Sequence, residues 1–210
     1  ALSQYNWGIT SGTTGSGKST TLASMIDHIN QNESVNVITV EDPIEYLYRD
    51  NKAIISQREI GVDTLSYANA LRAALRQDPD VLLVGEIRDL ETMQIAMTAA
   101  DTGHMVFATI HTTNATETIH RVLSMYPPHQ HDEVRLLLAE VLAGIISLRL
   151  LPTKDGKGRV PASEILVNTG AIKEYIQDKD KIDMVEQAVA EGNIQYHSQT
   201  FDQSLLELYT

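Results

Sequence analysis

The sequence contains no cysteine, so it can form neither a disulfide framework nor a cysteine-ligated zinc site. No apolar run approaches the roughly 20 residues of a membrane-spanning helix. The first residues also lack the basic-then-apolar pattern of a signal peptide. We therefore expect no direct membrane insertion, and an ordinary cytoplasmic setting fits the composition.

Positive charge is scarce as well. The chain has 16 lysines and arginines against 28 aspartates and glutamates, which gives a net charge of −12. A surface that binds a nucleic acid must neutralise many phosphates, and an acidic chain is poorly suited to that task. We therefore expect no nucleic-acid partner.

The sequence does contain enough apolar material for one substantial core, with 42% hydrophobic residues in a chain of 210. From Trp7 to about Leu151, short β-branched runs alternate with longer stretches of helical periodicity. This pattern is typical of βαβ units and predicts an α/β fold with a largely parallel sheet. Predicted strands cover residues 35–40, 81–84 and 105–110, and predicted helices cover 19–30, 65–75, 89–103 and 132–151.

The composition changes after Pro152. Residues 154–158 form a polar turn with two glycines, 160–167 are predicted as a strand, and helices follow. We therefore predict a core domain over residues 1–151 and a small, mostly helical C-terminal subdomain over residues 152–210.

The strongest motif is Gly12-x-x-x-x-Gly17-Lys18-Ser19, a complete match to the phosphate-binding P-loop, or Walker A, pattern. Its glycines let backbone amides point into one concavity, and the positive end of the following helix adds to their attraction for phosphate. Lys18 is expected to reach the β- and γ-phosphates of a nucleotide, and the Ser19 hydroxyl to ligate Mg²⁺. The predicted phosphate-binding residues are Gly12, Thr13, Thr14, Gly15, Ser16, Gly17, Lys18, Ser19 and Thr20.

The alternative interpretation of this motif is a flexible linker rich in glycine and serine. The helical pattern that begins directly after the motif favours the phosphate site. The strand expected before the loop, at residues 7–11, is shorter and less apolar than is usual for a central strand of a parallel sheet.

Acidic residues follow two of the predicted strands. Glu41, Asp42 and Glu45 come after the first strand, and Glu86 comes after the second. Ligands of open α/β sheets bind beyond the carboxyl ends of the strands, so these carboxylates are expected near the phosphates. A carboxylate there can hold Mg²⁺ through water or orient the attacking water. We expect such roles for Glu41 and Glu86, whereas Glu45 is more simply a solvated loop charge.

Four further side chains lie near these motifs, and three of them have both a functional and a structural interpretation. His111 ends the third predicted strand, where an imidazole can hydrogen-bond the γ-phosphate and report its presence, although a lone histidine is more often structural. His104, at the start of that strand, is expected to be structural. Arg88 and Asp89 fit either a nucleotide site or a surface ion pair and a helix cap.

In this order, the four elements resemble the motifs of the secretion-superfamily ATPases that drive type II secretion and type IV pili. In that family a Walker A loop is followed by an acidic box, an atypical Walker B segment with Gly-Glu, and a histidine box. The corresponding segments here are 12–19, 41–45, 80–88 and 103–113. The resemblance covers nearly the whole chain and implies a RecA-like P-loop core.

Within the family the chain is most similar to the retraction ATPases of twitching motility, in stretches such as 57–61 and 70–76. Assembly and secretion members commonly carry a four-cysteine zinc loop, and this chain has no cysteine. Retraction members carry Ala-Ile-Arg-Asn-Leu-Ile-Arg-Glu near the C-terminus, and the matching stretch 171–178 lacks both arginines. It keeps the apolar spacing, which a helix packing Ile172 and Ile176 on the core also explains.

The resemblance implies Mg²⁺-dependent ATP hydrolysis that powers pilus retraction. ATP and Mg²⁺ would be held at Lys18, Ser19 and Glu86. Glu41 and Glu86 would divide the tasks of polarising water and organising the metal, with Glu41 favoured as the base, and His111 would sense the γ-phosphate. The resemblance also implies a homo-hexamer at the cytoplasmic side of the inner membrane that acts on a platform protein of the pilus machine.

Family members also have an N-terminal PAS-like domain whose arginines reach the nucleotide. That domain is absent from this chain, so slow hydrolysis is expected, because arginine fingers can be worth about 10³ to 10⁵ in rate. Three alternatives stay open. A type II secretion or pilus-assembly ATPase shares all four motifs. A regulatory domain without turnover and a RecA-like DNA translocase share the P-loop, although the net charge of −12 disfavours the translocase.

Overall fold

One sheet organises the protein in the computed structural model, which describes residues 6–209. Its strands within that range are β1 (Trp7–Gly12), β2 (Asn36–Glu41), β3 (Ile54–Glu59), β4 (Val81–Val84), β5 (Met105–Ile110), β6 (Leu142–Pro152) and β7 (Arg159–Val167). Their order across the sheet is β3-β2-β4-β5-β1-β6-β7. Neighbouring strands are parallel except for the antiparallel pair β6 and β7. The predicted α/β fold with a largely parallel sheet is confirmed.

Helices connect the strands and follow the last one. They are α1 (Lys18–Asn32), α2 (Tyr67–Ala74), α3 (Leu90–Asp101), α4 (Ala115–Ser124), α5 (His131–Val141), α6 (Gly170–Gln177), α7 (Val185–Glu191), α8 (Asn193–Tyr196) and α9 (Phe201–Tyr209). Short 3₁₀ turns lie at Leu75–Gln77, Pro128–Gln130 and Ile182–Met184. Over residues 6–209, no helix is both long and apolar enough to cross a membrane.

Both faces of the sheet are packed, because successive side chains of a strand point to opposite sides. In β2, Ile38 and Val40 belong to a large core that includes side chains from α2 to α7. Val37 points the other way and packs with Leu22 and Ile26 of α1. Burial on both faces explains why β2 and β4 consist of nearly continuous apolar residues in the sequence.

β1 is the central strand that the sequence indicated only weakly. It pairs with β5 on one side and with β6 on the other. Trp7 and Ile9 are fully buried and supply the apolar surface that this short strand needs. Because β1 ends at Gly12, the P-loop begins in the middle of the sheet.

Polar caps fix the starts of two helices next to strand ends. Asp89 caps α3, accepting hydrogen bonds from Thr92 N at 2.8 Å and from Thr92 Oγ1 at 2.9 Å. This confirms the capping interpretation of Asp89. Asn114 caps α4 in the same manner, accepting from Glu117 N at 2.7 Å. Such caps satisfy amides that have no partner within the helix.

The predicted helix over residues 132–151 is wrong in its second half. Helix α5 ends at Val141, and strand β6 begins at Leu142. A short apolar run cannot be assigned to helix or strand by periodicity alone, and the β-branched Ile145 and Ile146 suit a sheet. β6 lies between β1 and β7 and hydrogen-bonds to both, so strand pairing decides its conformation.

Smaller differences concern other elements. Helix α2 starts at Tyr67, and Leu65, which the predicted stripe included, is exposed. β3 and α4 have no counterpart among the predicted elements. β3 is an edge strand with polar residues, so it carries no apolar run to reveal it. The predicted strand 160–167 is confirmed by β7, and the helices after it are confirmed by α6 to α9.

The segment after Pro152 continues the same sheet and core. β7 pairs with β6 along its length, and Ile172 and Ile176 of α6 are buried in the large core. The division of the chain at residue 151 stays a prediction. The outer limits of the two predicted domains, residues 1–5 and 210, lie outside the described residues.

We predict that Gly144→Ala destabilises the fold. A Cβ at this position would lie 2.6 Å from the carbonyl oxygen of Leu166 on β7, so one of the two strands must shift. Overpacking of this kind costs about 1–3 kcal/mol of unfolding free energy. Urea unfolding followed by circular dichroism measures the change. Gly170→Ala is the matched control, since no atom lies within 4 Å of its added Cβ, and an equal loss in both variants would contradict this account.

Candidate functional site

The carboxyl ends of four neighbouring parallel strands, β2, β4, β5 and β1, meet at one edge of the sheet. A cleft of about 270 Å³ opens there. The predicted site residues that line it are Thr14, Gly15, Lys18, Ser19, Glu41, Asp42, Glu45, Glu86, Arg88 and His111. The edge of an open α/β sheet where strands end is the usual ligand-binding position of this fold class.

The P-loop backbone requires glycine at its turning points. Gly15 and Gly17 have φ of 76° and 103°, conformations that L side chains rarely adopt. Gly12 has φ of 142°, and a Cβ there would lie 2.4 Å from Ser16 Oγ and 2.7 Å from the carbonyl oxygen of Leu148. The loop therefore turns tightly between β1 and α1 and leaves its concave side open to the cleft.

Lys18 lies under the loop and is only 8% exposed. Its Nζ donates to the carbonyl oxygens of Gly12 and Thr13, each at 2.9 Å. Burial lowers the pKa of Lys18, and the carboxylates of Glu86 and Glu45 act in the opposite direction. The ammonium group is thus held by two carbonyls that an anionic ligand can replace.

Ser19 and Thr20 lie in the first turn of α1 and contact the acidic segment. Ser19 Oγ donates to Glu45 Oε1 at 2.9 Å, and the hydroxyls of Thr20 and Tyr46 lie 2.9 Å apart. Glu45, interpreted from sequence as a solvated loop charge, therefore contacts the P-loop serine directly. The sequence does not mark this contact, because the chain returns to the first turn of α1 only in the folded structure.

Glu41 ends β2 and is held by neutral groups. Thr39 Oγ1 donates to Glu41 Oε1 at 2.6 Å, and Gln57 Nε2 on β3 lies 3.4 Å from the same oxygen. Both contacts fix the carboxylate at the edge of the cleft without neutralising it. Gln57 was not singled out as a site residue, because β3 was not recognised as a neighbour of β2.

The segment from Gly85 to Ile87 is hydrogen-bonded to strands on both sides. Gly85 N donates to Val40 O at 2.7 Å, and Ile87 N donates to Thr109 O at 3.0 Å. A Cβ on Gly85 would meet Val40 O and the Tyr67 hydroxyl at 3.1 Å and Glu41 Cα at 3.2 Å. The missing side chain therefore permits β4 to end close to β2, which brings Glu86 near Glu41.

Glu86 is 8% exposed and is contacted on both oxygens. Arg88 Nη2 lies 2.5 Å from Oε1 as an ion pair that lacks hydrogen-bond geometry, and His111 Nε2 lies 3.2 Å from Oε2. Of the two interpretations of Arg88, the ion pair is therefore present, and its partner is the site carboxylate. Buried carboxylates are costly unless paired, so these contacts stabilise Glu86 inside the cleft.

His111 is the first residue after β5, and its segment is tied to α4. Glu117 Oε2 accepts from Thr113 N at 2.7 Å and from Thr113 Oγ1 at 2.6 Å. These hydrogen bonds lower the pKa of Glu117. His104, at the opposite end of β5, lies outside the cleft with Nδ1 2.9 Å from Ala99 O, as expected of a structural histidine.

Two further observations bear on the ligand that the cleft can hold. Ser16 Oγ in the P-loop is buried and has no hydrogen-bond partner, so it is free to receive one. Burial and the nearby carboxylate of Glu86 raise the pKa of Tyr67, which keeps its hydroxyl protonated as a donor. Tyr67 was not predicted as a site residue, since it lies on α2, away from every motif in the sequence. The cleft thus combines one ammonium group, hydroxyls and a ring of carboxylates.

Comparisons with known proteins agree with this geometry. The chain is 48% identical to the twitching motility protein of Neisseria gonorrhoeae over 200 residues, which are 95% of this chain and 53% of that protein. It is 48% identical to the type IV pilus retraction ATPase PilT of Pseudomonas aeruginosa over 184 residues, 88% of this chain and 53% of that protein. The crystal structure of the pilus retraction motor PilT with bound ADP matches with a TM-score of 0.88 at 50% identity, covering 98% of this chain and 57% of that one.

The chain thus spans about half the length of the curated relatives it matches. The family model for type II/IV secretion system proteins matches residues 3–206. This match covers nearly the whole chain and includes every motif at the strand ends. The chain therefore belongs to the type II/IV secretion system protein family, whose named members include the retraction ATPase PilT.

Proposed function

We propose that this chain is the ATP-hydrolysing motor part of a pilus retraction ATPase. The observation that carries the proposal is the convergence of Lys18, Glu41, Glu86 and His111 on one cleft beside the P-loop. Water would attack the γ-phosphorus as the bond to the bridging oxygen of ADP breaks, giving ADP and phosphate. Charge that develops on the transferring phosphoryl group is stabilised by fixed positive groups and dipoles.

ATP binding would use contacts that already exist around Lys18. Its Nζ is held by the carbonyls of Gly12 and Thr13, and these two hydrogen bonds can be exchanged for phosphate oxygens. The buried Ser16 hydroxyl can then donate to a phosphate and lose its unpaired state. The amides of the loop and the start of α1 add the attraction of a helix N-terminus for anions.

The residues also fit Mg²⁺ held together with a nucleotide. Within residues 6–209, no group of three histidine, aspartate or glutamate side chains converges into a metal site. Mg²⁺ commonly takes one or two protein oxygens together with substrate phosphates and water. Ser19 Oγ can offer a lone pair to the ion while its O–H still donates to Glu45, and Glu86 can act through water. The ion, when bound, would neutralise charge on the phosphates.

The two carboxylates would divide the work according to their contacts. Both oxygens of Glu86 are engaged by Arg88 and His111, which suits a group that organises charge around the metal and phosphates. Glu41 is oriented by Thr39 and Gln57, which leaves its charge unneutralised. We therefore assign Glu41 to orient the attacking water and take its proton.

His111 would report the presence of the γ-phosphate. Its Nε2 contacts Glu86, and about half of its side chain is exposed towards the cleft edge. An imidazole N–H in this place can turn from the carboxylate to a phosphate oxygen. The state of the nucleotide would then be transmitted to the segment that leads into α4.

The similarity to the family also supports a proposal for the larger assembly. We propose a homo-hexamer, on the cytoplasmic side and peripheral to the inner membrane through partners, that acts on a platform protein of the pilus machine. The similarity to named twitching motility and retraction proteins supports retraction as the direction of work. The N-terminal domain of the family, whose arginines are expected to reach the nucleotide, would speed the reaction.

We predict slow, Mg²⁺-dependent phosphate release from ATP by this chain, and faster release when it is fused to the N-terminal half of a relative.

Lys18→Ala abolishes nucleotide binding, since no other buried cation faces the phosphates in the described part of the cleft. Glu86→Gln retains binding and lowers turnover by about 10² to 10³, the cost of losing one group that organises charge in the transition state. Phosphate release and the binding of a fluorescent ATP analogue measure the two effects.

The outcomes of this experiment separate the proposal from its main alternative. ATP binding without turnover in both the chain and the fusion would favour a regulatory nucleotide-binding domain. Loss of binding in Glu86→Gln would overturn the role assigned to that carboxylate.

A second prediction concerns Glu45, which sequence reasoning undervalued. Glu45→Ala removes the acceptor that orients the Ser19 hydroxyl, so the Mg²⁺ concentration for half-maximal hydrolysis should rise by about 10- to 100-fold. A magnesium titration of the hydrolysis rate measures the shift. Asp27→Ala, which removes an exposed carboxylate from α1, the helix that contains Ser19, is the control and should leave the midpoint unchanged. An unchanged midpoint in Glu45→Ala would show that Glu45 has no part in metal binding.

A further inference from the structure

A buried carboxylate outside the cleft occupies an unusual position in the sheet. Glu164 lies on β7, the edge strand that pairs with β6, and is only 7% exposed. Burial and the nearby charge of Glu186 raise the pKa of Glu164, whereas the hydrogen bond from the Ala115 amide and the charge of Arg149 lower it. Burying a carboxylate costs free energy unless its contacts offset that cost.

Glu164 belongs to a row of residues that crosses four strands. Strand register places Ile110 opposite Ser11, Ser11 opposite Ser147, and Ser147 opposite Glu164. All of them are buried, on the side of the sheet that α4 covers. Ser11 comes directly before Gly12 of the P-loop, and Ile110 comes directly before His111. The row therefore lies one residue below the two segments that face the nucleotide.

Hydrogen bonds run along this row in one direction. Ser11 Oγ donates to Ser147 Oγ at 2.9 Å, and Ser147 Oγ lies 3.5 Å from Glu164 Oε1 as the next donor. The same Oε1 accepts from the backbone N–H of Ala115 at 2.5 Å. Ala115 is the first residue of α4, where a carboxylate is favoured by the unpaired amides and the helix dipole. Glu164 therefore joins the P-loop strand to the start of α4.

The start of α4 carries the His111 segment. Asn114 caps the helix, and the Thr112 hydroxyl lies 2.6 Å from the Thr118 hydroxyl within its first turn. These contacts tie the first turn of α4 to Thr112, the residue that follows His111. Arg149 attracts Glu164 electrostatically, and its guanidinium lies over the ring of Phe201, 3.9 Å from the centroid. The short hydrogen bond of the Glu164 carboxylate is the one that it accepts from the Ala115 amide.

We propose that Glu164 is a positioning residue for γ-phosphate sensing: it fixes the first turn of α4, and with it His111, relative to the P-loop strand through Ser147 and Ser11. The proposal rests on the function assigned to His111 above. It also makes β7 the route by which the segment after Pro152 communicates with the nucleotide. Glu164 touches neither nucleotide nor metal in this role.

The test compares the affinities of the chain for ADP and for a non-hydrolysable ATP analogue, measured by isothermal titration calorimetry. Their ratio reports the γ-phosphate contacts, which a general structural defect would not change selectively. Glu164→Ala should lower the preference for the ATP analogue by about 3- to 10-fold, a part of the loss expected for one hydrogen bond to a charged group. The ADP affinity of this variant should stay within about twofold of that of the unaltered chain, because a substitution that does not affect the ADP contacts changes binding by no more than this.

Three further variants complete the experiment. Glu164→Gln keeps an acceptor for the Ala115 amide and should restore most of the preference. Glu191→Ala removes an exposed carboxylate from the end of α7 that is not among the charges acting on Glu164, and it should have no effect. Ser147→Ala breaks the serine link with little loss of volume and should also lower the preference, so it tests the proposal even if Glu164→Ala fails to fold.

Combination with His111→Ala separates this inference from the function on which it rests. The double variant His111→Ala/Glu164→Ala should be no worse than His111→Ala alone, because both act on the same contact. If His111→Ala lowers the preference and Glu164→Ala does not, or if Glu164→Ala weakens both nucleotides equally, the positioning role is wrong and the sensor stands. If His111→Ala leaves the preference unchanged, the sensing role itself fails.

Discussion

The close approach of β4 to β2 at Gly85 is the constraint on which the site depends. Hydrogen bonds from Gly85 to Val40 and from Ile87 to Thr109 hold the end of β4 between its two neighbours. A side chain at Gly85 would push against the backbone that leads into Glu41. The placement of Glu86 relative to Glu41 is therefore set by backbone packing in the sheet.

Buried charge in the cleft is balanced by contacts that a nucleotide would have to exchange. Lys18 is held by two carbonyls, and Glu86 by Arg88 and His111. Each contact lowers the cost of burying the charge while the cleft is without phosphate. Under the proposed function, a nucleotide would replace these contacts, and Arg88 and His111 would then be able to contact the γ-phosphate.

The sequence predicted the parts of the molecule that depend on local chemistry. The P-loop and the capping Asp89 have residue requirements that hold in any surroundings, and the buried strands β2, β4 and β5 carry continuous apolar runs. The run after Val141 did not reveal its conformation, because pairing with β1 and β7 decides it. Gln57, Tyr67 and Glu164 reach their positions through tertiary packing, so neither spacing nor composition could identify them.

The most direct test of this account is the single-turnover rate of ATP hydrolysis by Gly85→Ala. Displacing the end of β4 by a few tenths of an ångström should keep nucleotide affinity within about threefold and lower the rate at least about tenfold, since small misplacements of reacting groups are costly. Gly158→Ala, whose added Cβ would meet Thr153 Oγ1 at an ordinary 3.7 Å, should behave as the unaltered chain. An unaltered rate in Gly85→Ala, or a loss of affinity equal to the loss of rate, would contradict the claim that strand spacing positions the catalytic carboxylates.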